Sequence, residues 1–325
     1  MIEFSIMTFT QTPLISVIVA TKDRQDAIIP CLDAIQDAMI NSGYDNYEIL
    51  VVNNNSADNT ESLVTKWIEN TKFETKLLHE TKAGVSAARN CGIRNANGDI
   101  FVFIDDDCHP HKDYFTQVMD YYRQDVENDN LMVMRSGSVV LGDPTDLKLT
   151  IKPVHEKRSW QKPMSMQEEG QILGDALIGC NMIMSKSVVE QVGFFDEKLG
   201  AGAPTKAAED TDYYYRAYIK NVKLEIVPDM EIAHFHGRKD PSVKVALLKN
   251  YAIGGGALII KYLFIYPRFS RHFYWLTRDF FKLEVFGKSE IQEGQLSRKQ
   301  RLGYHLTGIG LYIKLWSKEK LHLKR

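Results

Sequence analysis

The chain has 325 residues, 44% of them hydrophobic and 25% charged, with a formal charge of −2. That is length for one large domain plus an appendage and apolar content for a sizeable core, and the near-neutral balance argues against a general nucleic-acid binder. The average hides an asymmetry. From Lys261 to Arg325 there are 14 Lys/Arg against 5 Asp/Glu, which is +9, so the remainder carries −11. A basic, aromatic-rich end on an acidic body points to an anionic contact such as a membrane surface.

Residues 1–12 have no basic start and no long apolar stretch, and read as a tail rather than a signal peptide. "LISVIVAT" (14–21) is a continuous β-branched run, the pattern of a buried parallel strand. A helical pattern follows at 26–40. "YEILVVNNNS" (47–56) is a second strand ending in turn residues, "NTESLVTKWIEN" a capped helix, and "FETKLLHE" a third strand. "GVSAARNCGIRNA" is a helix of small residues closed by the Asn97-Gly98 turn, and "DIFVFIDDD" the fourth strand. This alternation predicts an α/β fold with a mostly parallel, Rossmann-like sheet flanked by helices.

A helix is expected over "DYFTQVMDYYRQ", and one or two strands over "LMVMRSGSVVLGD". Residues 142–175 are polar and read as a long loop or small insertion. "IGCNMIMSKSVVEQVG" gives a strand and a helix, "LGAGAPTKA" (199–207) a flexible glycine loop, and "EDTDYYYRAYIKN" another helix. "KLEIVPDMEIAHFHG" reads as strand, Pro-Asp turn and strand. Beyond about 240 the pattern turns helical and basic. The run "YAIGGGALIIKYLFIY" (251–266) is short for a span, broken by three glycines and charged at Lys261, so it reads as interfacial or buried. Cys31, Cys91, Cys108 and Cys180 show neither a CxxC pair nor zinc spacing, and read as reduced core thiols of a cytosolic protein.

The chemistry gathers at strand ends, where open α/β sheets bind ligands. Thr21, Asp23 and Arg24 follow the first strand, Asn53, Asn55 and Asp58 the second, and Asp105, Asp106 and Asp107 the fourth. One such cluster is commonly a turn; three on successive strands indicate a shared cleft. Three adjacent carboxylates repel one another unless a positive group joins them. Hard oxygen donors suit Mg²⁺ or Mn²⁺ bridging to substrate phosphates; the plain alternative is a solvated strand end with capping aspartates. No GxGxxG or GxxxxGK[ST] is present.

"ISVIVATKDR", "VVNNNSADNT", "GVSAARNCGIRNANGDIFVFIDDDC" and "GAGAPTKAAEDTDYYYRAY", in that order, resemble the family 2 inverting glycosyltransferases of GT-A fold, which include many bacterial polysaccharide and cell-envelope enzymes. The resemblance runs from about 14 to 236. It implies a GT-A catalytic domain over 13–238, beyond which the residue pattern reads as a basic, aromatic-rich helical region over 239–325. It implies a nucleoside-diphosphate sugar donor, UDP-sugar by default with GDP and dTDP open, and a glycan or lipid-linked acceptor. By the same resemblance Asp107 holds the divalent ion, and Asp105 the ion or the ribose. Thr21 and Asp23 line the base and ribose pocket, and Arg89 helps hold the nucleotide, with Arg24, Asn55 and Asp106 beside them. Where the family commonly has Asp, this chain has Asn53, an acceptor without a carboxylate's charge. Asp210 is the implied general base, with Glu209 beside it and Asp212 in support; a row of acids at a helix start also suits the macrodipole. His234 and His236 complete the metal site or touch the diphosphate, with a structural role as the alternative. The expected place is the cytoplasm, with the basic region at the inner face of the plasma membrane; the alternative there is a helical cap. Two other readings stand beside this one, an inactive nucleotide- or carbohydrate-binding homologue and a phosphatase of the haloacid dehalogenase type.

Overall fold

The computed structural model describes residues 12–165, 178–263, 265–266, 278 and 295–322. The expected tail up to residue 11, the far end of the 142–175 loop and most of the basic aromatic stretch between 267 and 294 lie outside these.

Four strands form the parallel part of the sheet. β1 (Ile15–Thr21) lies between β2 (Tyr47–Asn53) and β4 (Ile100–Ile104), and β3 (Glu74–His79) flanks β2. β1, β2 and β4 are buried along almost all of their lengths, which is why they lack alternation. Register pairs Thr21 with Asn53, so the polar ends of β1 and β2 stop level. Crossovers run through α1 (Ile28–Asn41), α2 (Thr60–Ile68) and α3 (Val85–Asn95). The small residues of α3 let it lie close on the sheet: a Cβ on Gly92 would fall 2.5 Å from Ile18 Cγ2.

Beyond β4 the sheet is mixed. β5 (Cys108–Pro110) precedes α4 (Tyr114–Glu127) and β6 (Val133–Leu141); β7 (Arg158–Trp160) arises inside the expected loop. β8 (Asn181–Ser185) runs antiparallel to both β4 and β6, and leads into α5 (Lys186–Val192). α6 (Glu209–Ile219) precedes β9 (Lys223–His234). The order is β3-β2-β1-β4-β8-β6-β9-β5, with β7 paired to β9. β9 is one strand rather than two about a Pro-Asp turn. Its pairing to β6 jumps from Val227↔Gly137 to Val139↔Ile232, so Pro228-Asp229 is taken up as an irregularity. Gly137 makes room for it, since a Cβ there would fall 1.5 Å from the Met230 carbonyl oxygen. β5 was not foreseen; three residues carry too little periodicity.

The C-terminal region supplies α7 (Ser242–Tyr262) and α8 (Arg298–His322). The glycines that break the apolar run serve a helix crossing: a Cβ on Gly256 would meet the His305 carbonyl oxygen at 2.0 Å, and one on Gly308 the Ile253 carbonyl oxygen at 1.9 Å. By length and composition α7 is long and apolar enough to cross a membrane, yet Ala252, Ile253, Ala257, Leu258 and Ile259 are buried. Ala257, Leu258 and Ile259 join Leu199, Tyr215, Tyr262 and Tyr312 in a small core shared with α6.

A buried polar cluster ties that core together. Asp212, fully buried, accepts from Arg216 Nε (2.9 Å), Tyr262 OH (2.7 Å) and Lys261 Nζ (2.6 Å). Lys261 also reaches Asp196 at 2.7 Å, and Tyr312 of α8 donates to the same carboxylate. Removing one partner of a buried pair strands the other. Asp212→Ala is expected to destabilise the fold by about 3 kcal/mol, the low end for such pairs because Lys261 keeps Asp196; a urea midpoint within error of wild type would refute the anchor.

Candidate active site

The C-terminal ends of β1 and β4, the start of α6 and the end of β9 open on one cleft of about 370 Å³. Arg24, Arg89, Asp105, Asp106, Asp107, Glu209, Asp210 and His234 line it, so eight residues expected from the sequence converge there. α7 contributes Leu247, Asn250 and Tyr251 to one wall. A larger crevice, about 610 Å³, is lined in part by Lys82, Lys198, Lys261 and Glu319. Its charges neutralise one another, Lys82 with Glu197, Lys198 with Glu319 and Lys261 with Asp196. It holds none of the strand-end carboxylates, so the smaller cleft is the candidate active site.

Each of the three carboxylates has a cation. Asp105 Oδ1 accepts from Arg89 Nη2 at 2.9 Å. Asp106 Oδ1 lies 3.3 Å from Arg24 Nε, and Asp107 Oδ2 3.2 Å from Arg24 Nη2. Asp107 Oδ1 faces His234 Nε2 at 3.1 Å. Burial alone would raise the Asp107 carboxyl; the hydrogen bond and charge of His234, with Arg24, hold it down to about 2. Burial would likewise lower His234, but Asp107 raises it. Asp106 lacks such support. Burial, with Asp107 adding to it against Arg24, pushes it up to about 7.

Arg89 is the other hinge of the site. Its side chain is 3% exposed. It reaches Asp105, Glu209 Oε1 (3.3 Å) and the Gly179 carbonyl (3.1 Å), so it joins the end of β4 to the start of α6. Burial and the neighbouring Asp210 charge push the Glu209 carboxyl up, against Arg89. Asp210 accepts from Gly179 N–H at 3.1 Å and from its neighbour Thr211 N–H at 2.6 Å. The glycine loop before α6 is pinned, with Val85 N–H donating to the Ala201 carbonyl and Ser86 Oγ to Leu199.

Two expected residues, Asp212 and His236, point away from the cleft. Asp212 points into the α6–α7 anchor described above and not into the cleft, because Lys261, Arg216 and Tyr262 hold it there. His236 is also committed: Nε2 bonds the Leu147 carbonyl (3.0 Å) and Nδ1 accepts from Arg238 N–H (3.0 Å), which corresponds to a neutral ring. It is not among the residues lining the cleft. Asn53 is buried, its amide donating to Glu61 (2.9 Å) and its oxygen accepting from Ser56 N–H (3.0 Å). Thr21, Asp23 and Asn55 lie with Asn53 at the β1–β2 ends, outside the cleft lining. Asp23 and Asn55 have left-handed backbone, and Asp23 accepts from Ala57 N–H at 2.7 Å. Asp58 is spent on the start of α2, accepting from Thr60 N–H. Glu61, Thr150 and Tyr251 also lie at this end of the sheet, and none was foreseen, since each falls in an ordinary helix or loop pattern.

As a cation site, Asp105, Asp107 and His234 offer oxygen donors and one imidazole nitrogen, a set that fits Mn²⁺ or Mg²⁺. His234 Nδ1 lies 3.1 Å from the Thr150 carbonyl, and this outer partner turns Nε2 toward Asp107.

A family model described as "Glycosyl transferase family 2" matches residues 16–193. The glycosyltransferase AglE of Haloferax volcanii is 26% identical over 206 residues, 62% of this chain and 63% of AglE. The amylovoran biosynthesis glycosyltransferase AmsB of Erwinia amylovora is 30% identical over 149 residues, 44% of this chain and 48% of AmsB. The chain thus spans less than two thirds of the length of these curated relatives. Among solved structures, S. aureus TarS 1–349 in complex with UDP-GlcNAc aligns with a TM-score of 0.51 at 17% identity, over 91% of this chain and 81% of that one. The mannosyltransferase PcManGT of Pyrobaculum calidifontis in complex with GDP-Man and Mn²⁺ aligns with 0.51 at 17%, over 97% and 81%. The fold is the expected GT-A arrangement.

The raised Asp106 carboxyl sets a pH dependence. The unfolded chain releases that proton near pH 4 and the folded one near 7, so the folded state binds more protons in between and stability falls as pH rises through that window. Asp106→Asn is expected to remove this slope, gaining on wild type at pH 8 relative to pH 4; parallel stability curves would contradict it.

Proposed function

The chain belongs to glycosyl transferase family 2, and from that premise we propose that it moves a sugar from a nucleoside-diphosphate sugar to a hydroxyl of a glycan or lipid-linked acceptor, by direct displacement with inversion. The observation that carries this is the convergence of two carboxylate groups on one cleft, Asp105–Asp107 on one wall and Glu209–Asp210 on the other, with Arg89 between them. In this reading Asp107, Asp105 and His234 hold Mn²⁺ or Mg²⁺. Such an ion, when bound, offsets the charge that develops on the departing nucleoside diphosphate.

The chain's own residues do the rest. Arg24 and Arg89 flank the diphosphate. The β1–β2 ends, with Thr21, Asp23, Asn53 and Asn55, take the base and ribose. Asn53 is already engaged with Ser56 and Glu61, so the exposed Glu61 carboxylate beside it is a candidate acceptor for a base N–H. UDP is our default; the UDP-GlcNAc bound by TarS and the GDP-Man bound by PcManGT keep both bases open. Asp210 removes the acceptor proton as the hydroxyl oxygen attacks the anomeric carbon and the bond from that carbon to the phosphate oxygen breaks on the opposite face. Glu209, held by Arg89, fixes the start of α6. The dehalogenase-type reading is set aside by the family assignment.

The C-terminal helices expose Tyr251, Leu306, Ile313 and Trp316, and Lys320 lies over the Trp316 ring at 5.0 Å. We read this face as the contact with an anionic membrane, at which a lipid-linked acceptor would enter past Tyr251. Sedimentation with vesicles containing anionic lipid is expected to carry the protein down, and Trp316→Glu to weaken it; equal recovery with neutral vesicles would reject the contact.

Two variants and a ligand screen test the reaction. Stabilisation by one nucleoside diphosphate is expected to require Mn²⁺ and to reach about 2.7 kcal/mol at 100 times its Kd. Asp107→Ala should abolish the metal-dependent part. Asp210→Asn should retain nucleotide binding and lose about 10²- to 10⁴-fold in kcat, the range for a general base. Turnover near wild type in that variant would remove Asp210 from the role, and no shift with any nucleotide would favour an inactive homologue.

A further inference from the structure

The carboxylate cluster has a second, softer set of donors behind it. Cys108 opens β5 opposite His234 of β9. Cys180 immediately precedes β8. The Sγ atoms of both and a ring nitrogen of His234 lie within 4.8 Å of one another, and all three residues are buried. Cys108 Sγ is 3.8 Å from Asp107 Oδ1, the same oxygen that faces His234 Nε2. Cys180 and His234 line the cleft, so the group is reachable from it. A tetrahedral Zn²⁺, with bonds of about 2.3 Å to sulfur and about 2.0 Å to nitrogen, holds its donors about 3.5 to 3.8 Å apart. The observed group needs to contract by no more than about 1.3 Å to reach that geometry. No spacing in the sequence announces it, because three separate strand ends supply one donor each.

We propose that Cys108, Cys180 and His234, with Asp107 as fourth donor, form a second cation site selective for a thiophilic divalent ion such as Zn²⁺. The selectivity follows from softness. Two thiolates and an imidazole favour Zn²⁺ strongly, whereas Mg²⁺ and Mn²⁺ prefer the oxygens of Asp105 and Asp107. Cysteine ligates as the thiolate, so binding of the ion releases the thiol protons. Because the two sites share His234 and Asp107, they cannot be filled together. Occupation by Zn²⁺ therefore blocks the hard ion; this consequence rests on the transferase reading, whereas the existence of the thiol site does not.

The test uses the full chain freed of metal with a chelator. Titration with Co²⁺ in the absence of nucleotide is expected to produce the near-ultraviolet thiolate-to-cobalt charge-transfer band, and Zn²⁺ to abolish it. Cys180→Ser should weaken the band per bound cobalt and bind Zn²⁺ more than about 100-fold more weakly, beyond what loss of an outer partner causes; Cys108→Ala provides the same comparison if that variant does not fold. In the same Cys180→Ser protein Mn²⁺-dependent nucleotide binding should persist and no longer be suppressed by Zn²⁺. Cobalt binding with no charge-transfer band, or Zn²⁺ affinity unchanged in both cysteine variants, would overturn the site. A band in a protein that binds no nucleotide would leave the site standing and remove the transferase reading instead.

Discussion

Everything at the cleft depends on one buried guanidinium. Arg89 comes from a helix of small residues that lies close on β1 and β2, and it extends to the end of β4, the start of α6 and the Gly179 carbonyl. An arginine suits that task because its fixed fork reaches several acceptors at once and stays charged when buried. Without it, Asp105 and Glu209 would sit near one another in a poorly solvated site with no compensating charge. The closeness of α3 to the sheet, set by Gly92 and its neighbours, is thus the precondition for two carboxylate groups from distant parts of the chain to share a cleft.

The first half of the fold was legible because its signals are periodic or compositional. Buried runs such as "ISVIVAT" and "YEILVVN" leave few alternatives to a parallel strand, and the polar residues closing them named the functional edge. What was not legible depended on contacts between segments far apart in the chain. β5 is three residues long and exists only because β9 offers it a partner. β9 reads as two strands in the sequence, and becomes one because Gly137 lets the Met230 carbonyl pass. Residue type pointed to Asp212 and His236 as site residues, but type does not encode direction. One is turned toward Lys261 and Tyr262, the other toward Leu147 and Arg238.

That redirection of Asp212 gives the C-terminal helices a second meaning. Within the first turn of α6, Glu209 and Asp210 face the cleft and Asp212 faces α7. The Lys261–Asp212 pair therefore fixes the rotation of the helix that carries the acidic pair, while Leu247, Asn250 and Tyr251 of α7 build part of the same cleft. A region that composition marks as an appendage is coupled to the site by a buried charge. Buried pairs of this kind are weak contributors to net stability but strong determinants of geometry, since misalignment strands a charge.

The cations that balance Asp105–Asp107 are not equivalent, and the difference bears on how a metal could enter. Arg89 is 3% exposed, so withdrawing it would leave the carboxylates it joins uncompensated. Arg24 is 39% exposed and bonds Asp106 and Asp107 from the solvent side. Its carboxylate partners are buried, so the half-exposed guanidinium can leave only where another cation takes over Asp106 and Asp107. Asp106, already shifted to about 7, marks how incompletely Arg24 compensates the cluster. In the proposed reaction a divalent ion at Asp107 would supply the missing charge and release Arg24 toward the diphosphate. The cluster is thus built with one permanent cation and one exchangeable one, and the exchangeable side is the side that opens to solvent.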